Sequence, residues 1–204
     1  ASTDYDIDTS IDFGAGDYSI VGIEYAGYKP TLKVDSATTA GIYSNDAANI
    51  KIHDIVLDVN SKNIHGMYFD GVSRAEIVGC TVENVLQSAA DTKIPILLTL
   101  GSQYKNTPSY ISKCNFYNNL GAGVYQTGGS TGNVWITDNM WYGGKPYGTQ
   151  QYEAFRGENA VISRNKVIGY GTKAQTYSSC AGCGIGGNDN IISDNYIEGV
   201  GSSG

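Results

Sequence analysis

The sequence predicts an all-β chain: a single-stranded right-handed parallel β-helix of about seven coils with an Asn/Cys ladder and variable loops. Three observations carry this. Helical periodicity is nearly absent, while short alternating apolar runs bounded by Gly, Asn and Asp recur along the chain. The runs form a repeat anchored at Ile52, Ile77, Ile111, Ile136, Ile162 and Ile192, at intervals of 25–34 residues. Fixed residue types stand at fixed offsets from those anchors, giving three short strands per repeat.

Five residues past the anchors stand Leu57, Val82, Phe116, Trp141, Val167 and Ile197, all apolar and so predicted to point inward. Three residues past them stand Ile55, Cys80, Cys114, Asn139, Asn165 and Asn195. Stacked coil on coil, these side chains form a ladder inside a bend, each amide bonding the next and the local backbone. The residues just before them need a left-handed backbone. Asp54, Gly79, Asp138 and Asp194 tolerate it, whereas Lys113 and Arg164 are less usual there. The strand before most anchors reads Gly41-Ile42-Tyr43, Gly66-Met67-Tyr68, Gly123-Val124-Tyr125, Ala154-Phe155-Arg156 and Gly184-Ile185-Gly186. Ile94–Leu100 fills this slot in the coil that lacks the Gly. The glycines permit close backbone approach.

Parallel stacking follows because hairpin dipeptides are scarce and the loops vary in length. An earlier coil is built from Leu32, Val34 and Ile42, and the rod is expected to be about 30–35 Å long at the strand spacing. Residues 1–204 read as one β-helix domain, with regular coils over 31–200. Residues 1–30 have poorer register and read as an N-terminal cap or a degenerate coil. The last strand runs into Gly-Ser-Ser-Gly without an obvious cap. The expectation is a fragment of a larger protein with adjoining domains, or an end covered by a partner.

Composition narrows the partners. The chain has 204 residues, a formal net charge of −7 and 16% charged residues, with 27 Gly and 16 Tyr. An acidic chain is not expected to bind nucleic acid. No apolar run approaches the roughly 20 residues of a membrane helix, so no membrane span is expected. Low charge with abundant Gly, Asn, Ser, Thr and Tyr points to an extracellular or cell-surface protein.

The coil pattern from Leu32 to Val200 resembles the right-handed β-helix (pectate-lyase-like) superfamily of pectate lyases, polygalacturonases, alginate-active enzymes and phage tailspikes. More narrowly, NIKIHDIVLDVNSKNIHGMYFDGVSRAEIVGC at 49–80 resembles the β-helix domain associated with archaeal disaggregatases, which cut the surface heteropolysaccharide that clumps methanogen cells. The resemblance implies hydrolysis of an acidic cell-surface polysaccharide. It transfers no catalytic residue: the clustered aspartates of polygalacturonases are missing and the basic dyad of lyases is not recognisable. A non-catalytic carbohydrate-binding or structural module, a polysaccharide lyase and a tailspike-like trimer subunit are the alternatives.

The residues supply a candidate site. The residue after each inward apolar residue of the Gly strand faces out, giving a column of Tyr43, Tyr68, Leu97 or Thr99, Tyr125, Arg156 and Gly186. Tyr offers a flat face and a hydroxyl to a sugar ring, and Arg156 is a bidentate partner for a uronate carboxylate. The plain alternative is that tyrosines simply suit an exposed sheet covered by loops. Hydrolysis needs two carboxyl groups roughly 5–9.5 Å apart, and the candidates are Asp70, Glu153 and Asp91. Asp70 ranks first, because it shares the outward parity of Tyr68. His65 at the start of the same strand is a candidate substrate-contacting base, or a capped loop histidine.

No metal site is recognised and no cofactor is expected, although Asp/Asn-rich bends suit calcium. Cys180-Ala181-Gly182-Cys183 reads first as a loop disulfide, then as two thiols, then as a metal pair. Cys80 and Cys114, adjacent on the ladder, read as stacked buried thiols rather than a strained disulfide.

Overall fold

The computed structural model describes residues 4–37, 39–45, 49–86, 93–100, 108–119, 123–126, 133–142, 153–169, 181–186 and 189–199, and of residues 153, 181–182 and 184–186 it describes the backbone. The first rung is β1 (Asp4–Ile7), β2 (Ile11–Phe13) and β3 (Asp17–Val21). The second is β4 (Thr31–Val34), β5 (Ala40–Asn45) and β6 (Asn49–His53), and the third β7 (Val56–Asp58), β8 (His65–Val72) and β9 (Arg74–Val78). Next come β10 (Thr81–Glu83), β11 (Ile96–Leu100) and β12 (Ser109–Ser112), then β13 (Asn115–Tyr117), β14 (Val124–Gln126) and β15 (Val134–Thr137). β16 (Met140–Tyr142), β17 (Glu153–Glu158) and β18 (Ala160–Ser163) precede β19 (Lys166–Ile168), β20 (Ala181–Gly186), β21 (Ile191–Ser193) and β22 (Tyr196–Glu198).

Every third strand pairs in parallel with its copy, giving an 8-stranded first sheet from β1 to β22 and two 7-stranded sheets, the second from β2 to β20 and the third from β3 to β21. The chain is a parallel β-solenoid, as the repeat predicts. About five turns are enclosed, with an open rung at each end that brings the second and third sheets to seven strands, where the anchors predict about seven coils. The difference lies at the ends. A rung is enclosed only where another lies on each side, which holds from β4–β6 through β16–β18. In the last rung the residues equivalent to buried Ile162 and Val167 are Ile192 and Ile197, 44% and 46% exposed.

The three inward columns meet in one core. On the first sheet Leu57, Val82, Phe116, Trp141 and Val167 stack in register and are buried. On the third, Ile52, Ile77, Ile111, Ile136 and Ile162 do the same. The second contributes Ile42, Met67, Ile96, Val124 and Phe155. Gly123 has the close approach its column predicts: a Cβ there would lie 2.8 Å from the Trp141 ring and 3.1 Å from the Ala154 carbonyl.

The bend from the third sheet to the first is the same in each rung. Asp54, Gly79, Lys113, Asp138, Arg164 and Asp194 all take φ between 55° and 68°. Lys113 and Arg164 accept the left-handed backbone, and Arg164 grips Asp138 in the neighbouring rung through two hydrogen bonds of 2.8 Å. That clamp holds the Asp138 carboxyl below the usual range. Inside the bend, Asn165 Nδ2 donates to Ile136 O (2.8 Å) and to Asn195 Oδ1 (3.0 Å), while Asn165 Oδ1 accepts from the Asn139 N–H (3.0 Å). Asn139 Oδ1 in turn accepts from the Cys114 N–H at 2.9 Å. Below it the ladder changes chemistry: Cys80 and Cys114 are free, buried thiols, as expected. Burial pushes the Cys114 thiol well above its ordinary pKa. Cys183 carries a free thiol in place of the loop disulfide expected, pushed up to about 11 by burial; Cys180 lies outside the described residues.

Candidate functional site

The outward side of the second sheet brings together the column read from the sequence. The register runs Asp12, Tyr43, Tyr68, Leu97, Tyr125 and Arg156, one residue per rung from β2 to β17. Past β17 it continues to Gly184 and not to the expected Gly186, because β20 is set two residues off that alignment, with Cys183 opposite Phe155. The parity that left Leu97 or Thr99 open is settled: Leu97 pairs with Tyr68 and Tyr125, and Thr99 pairs with Asp70. Tyr43 and Tyr68 lie with ring centroids 5.5 Å apart and tilted 53°. The Arg156 guanidinium sits over the Tyr125 ring, 5.2 Å from its centroid, in a cation–π arrangement. Tyr43, Tyr68, Tyr125 and Arg156 are all half-buried.

His65 packs 5.4 Å from the Tyr68 ring and accepts the Ile94 N–H on Nδ1 at 3.1 Å. The capped reading therefore describes Nδ1, and any proton transfer would fall to Nε2. Asp70 lies one outward position along from Tyr68 on the same strand, close enough for its charge to act on the Tyr68 hydroxyl. Burial first, and then the Asp70 carboxylate, push the Tyr68 hydroxyl above its ordinary pKa. In its own column Asp70 is flanked by Asn45 below and Thr99 above. Glu158, two positions past Arg156, shares that column three rungs away, about 14 Å at the strand spacing. Glu153 opens β17 opposite Ala181, and only its backbone is described. Asp91 lies outside the described residues.

The other two sheets carry outward groups that the sequence reading did not single out. On the first, Asp58 and Glu83 stand side by side on adjacent rungs, with Tyr117 and Tyr142 above them. Burial first, and then the Asp58 charge, push the Glu83 carboxyl up. On the third, Lys51, Glu76, Tyr110 and Trp135 form a single column. The signal for that column was available: these residues immediately precede the Ile anchors. Its residue type changes from rung to rung, so no periodicity marks it.

Among the described residues no group of three or more His, Cys, Asp or Glu is placed to hold a metal ion. Among them, too, no helix is long and apolar enough to cross a membrane. No family model matches the chain, no curated protein matches it, and no solved structure matches it.

Proposed function

We propose that the outward side of the second sheet is the glycan-contact face of a secreted or cell-surface β-helix that recognises an acidic polysaccharide. The observation that carries this reading is the single-file alignment of Tyr43, Tyr68, Tyr125 and Arg156 at rung spacing. Aromatic faces take the apolar sides of sugar rings, and the guanidinium held over Tyr125 takes a uronate carboxylate. Asn45 and Thr99 beside Asp70 supply hydrogen bonds there rather than a second acid, which favours binding over hydrolysis. The low-charge, Tyr-rich composition supports an extracellular setting.

Hydrolysis, the activity implied by the resemblance of residues 49–80 to the disaggregatase-associated domain, is the second reading. It is favoured by Asp70, which stands beside Tyr68 at the edge of the column. Asp70 would then act with Glu153 or Asp91 as its partner acid. One experiment separates the two. The protein is incubated with polyuronate and with neutral polysaccharides, and retention, new reducing ends and unsaturated products are followed together. Retention on polyuronate without new ends is expected. New reducing ends abolished by Asp70→Asn would establish hydrolysis, unsaturated ends would establish a lyase, and neither retention nor product would overturn the reading.

A further inference from the structure

The third sheet carries a second line of groups suited to a sugar chain. Trp135 is 42% exposed, while Trp141, the only other tryptophan, is fully buried. The Trp135 ring meets Tyr110 edge-on, with centroids 5.5 Å apart. Arg74 lies 5.5 Å over the Tyr110 ring, anchored by Nε to the Pro108 carbonyl (3.3 Å) and by its other end to Glu76 (3.0 Å). Below this pair opens a cleft of about 390 Å³ lined by Asp17, Tyr18, Ser19, Asn49, Lys51 and Arg74, in which the Asp17 carboxylate accepts a hydrogen bond from Asn49 Nδ2 at 2.8 Å. Lys51 has no hydrogen bond or ion pair among the described residues and is exposed. Glu76, its neighbour in register, is already shared by Arg74 and by His53 Nε2, the latter at 3.0 Å.

We propose that this strip is a second, separate binding site for an acidic glycan, with a ring stacked on Trp135 and an anionic substituent on Lys51 and the open side of Arg74. A guanidinium with only part of its donors used retains N–H groups for a carboxylate or sulfate. The exposed Trp135 ring, braced by the half-buried Tyr110, offers stacking area at little cost in side-chain order. The separation of Trp135 from Lys51, three rungs or about 14 Å, suits an extended chain lying along the rod. A second copy of the protein fits less well. A protein interface there would strip water from the Lys51 ammonium while Glu76 is already engaged. The site is on a different sheet from the proposed polysaccharide face and stands without it.

The test is a titration with hexagalacturonate, with xylohexaose as the uncharged control, reading stoichiometry by calorimetry and acrylamide quenching of tryptophan fluorescence. Two sites per chain are expected, with Trp135 shielded from the quencher on binding. Lys51→Gln should weaken the third-sheet site for the acidic hexamer roughly fivefold or more, and Trp135→Ala should remove it. Tyr68→Ala with Arg156→Gln should leave that site and its quenching signal intact. A single site lost in the Tyr68/Arg156 variant, with Trp135 still quenched, would overturn this proposal and keep the second-sheet reading. A single site lost only in Trp135→Ala would keep this proposal and overturn the other. Shielding of Trp135 by protein concentration alone, without glycan, would overturn it in favour of self-association.

Discussion

The two sides of the second sheet are built from the same strands and obey different rules. Inward stand Ile42, Met67, Ile96, Val124 and Phe155, all buried and all apolar, because each faces the same core that its copy faces one rung away. Outward, nothing in the core constrains the choice, yet Tyr returns at three rungs and Arg156 closes the line against Tyr125. The inward side thus reports the fold, and the outward side reports what the fold presents. Substitutions on one side should change stability and leave binding to the glycan alone; those on the other should do the reverse.

The sharpest way to break that division is from the inside. Trp141→Ala removes the largest buried side chain, in van der Waals reach of the Gly123 backbone, and should cost about 3–5 kcal/mol in a urea melt. A loss under about 1 kcal/mol would mean that the inward register is wrong. The bend comes next. Asn165→Ala strips the acceptor from the Asn139 N–H and the donor from the Ile136 carbonyl, both inside the ladder, and should cost about 1–3 kcal/mol by the same measurement. Cys114 at the equivalent bend forms weaker sulfur bonds, to Ile77 O at 3.6 Å and Ser112 O at 3.3 Å, so Cys114→Ala should cost less than Asn165→Ala.

From the outside, Tyr68→Ala should shift the melt by about 0.5 kcal/mol or less while weakening retention on polyuronate. A loss of stability comparable to that of Asn165→Ala would make Tyr68 a packing residue and erase the contrast. The smallest effect concerns pH. The Glu83 carboxyl is raised by burial and by Asp58, so the native state holds its proton at a higher pH than the unfolded chain. Its contribution therefore favours folding more as pH falls through the folded pKa, and opposes folding above it. Glu83→Gln should stabilise the protein at pH 7 by about 0.5 kcal/mol or less, given its partial exposure, and the gain should fade towards pH 4. Parallel melts at the two pH values check it.

The anchors at Ile52 through Ile192 were legible because every rung repeats the same demand for an inward apolar residue at a fixed offset. The left-handed bend was legible for the same reason, down to Lys113 and Arg164, whose φ values match those of the Asp and Gly positions. Two things were harder to read. Leu97 and Thr99 differ by one strand period, so both point outward and only pairing with Tyr68 assigns one of them to the column. The Lys51–Trp135 strip was missed because an outward column changes from charged to aromatic along its length and so leaves no repeat to detect.

The claim that the second sheet is a glycan face is tested most directly by Arg156→Gln, measured at the site that Trp135→Ala leaves intact, as the ratio of affinities for hexagalacturonate and xylohexaose, with a melt on the same sample. The guanidinium is held over Tyr125 at 5.2 Å and is the cation of the line. Its neutral replacement should lower affinity for the acidic hexamer roughly tenfold, leave the neutral hexamer within about twofold, and leave the melt unchanged. Equal affinities of the substituted and wild-type proteins for the acidic hexamer, on a folded sample, would contradict the account.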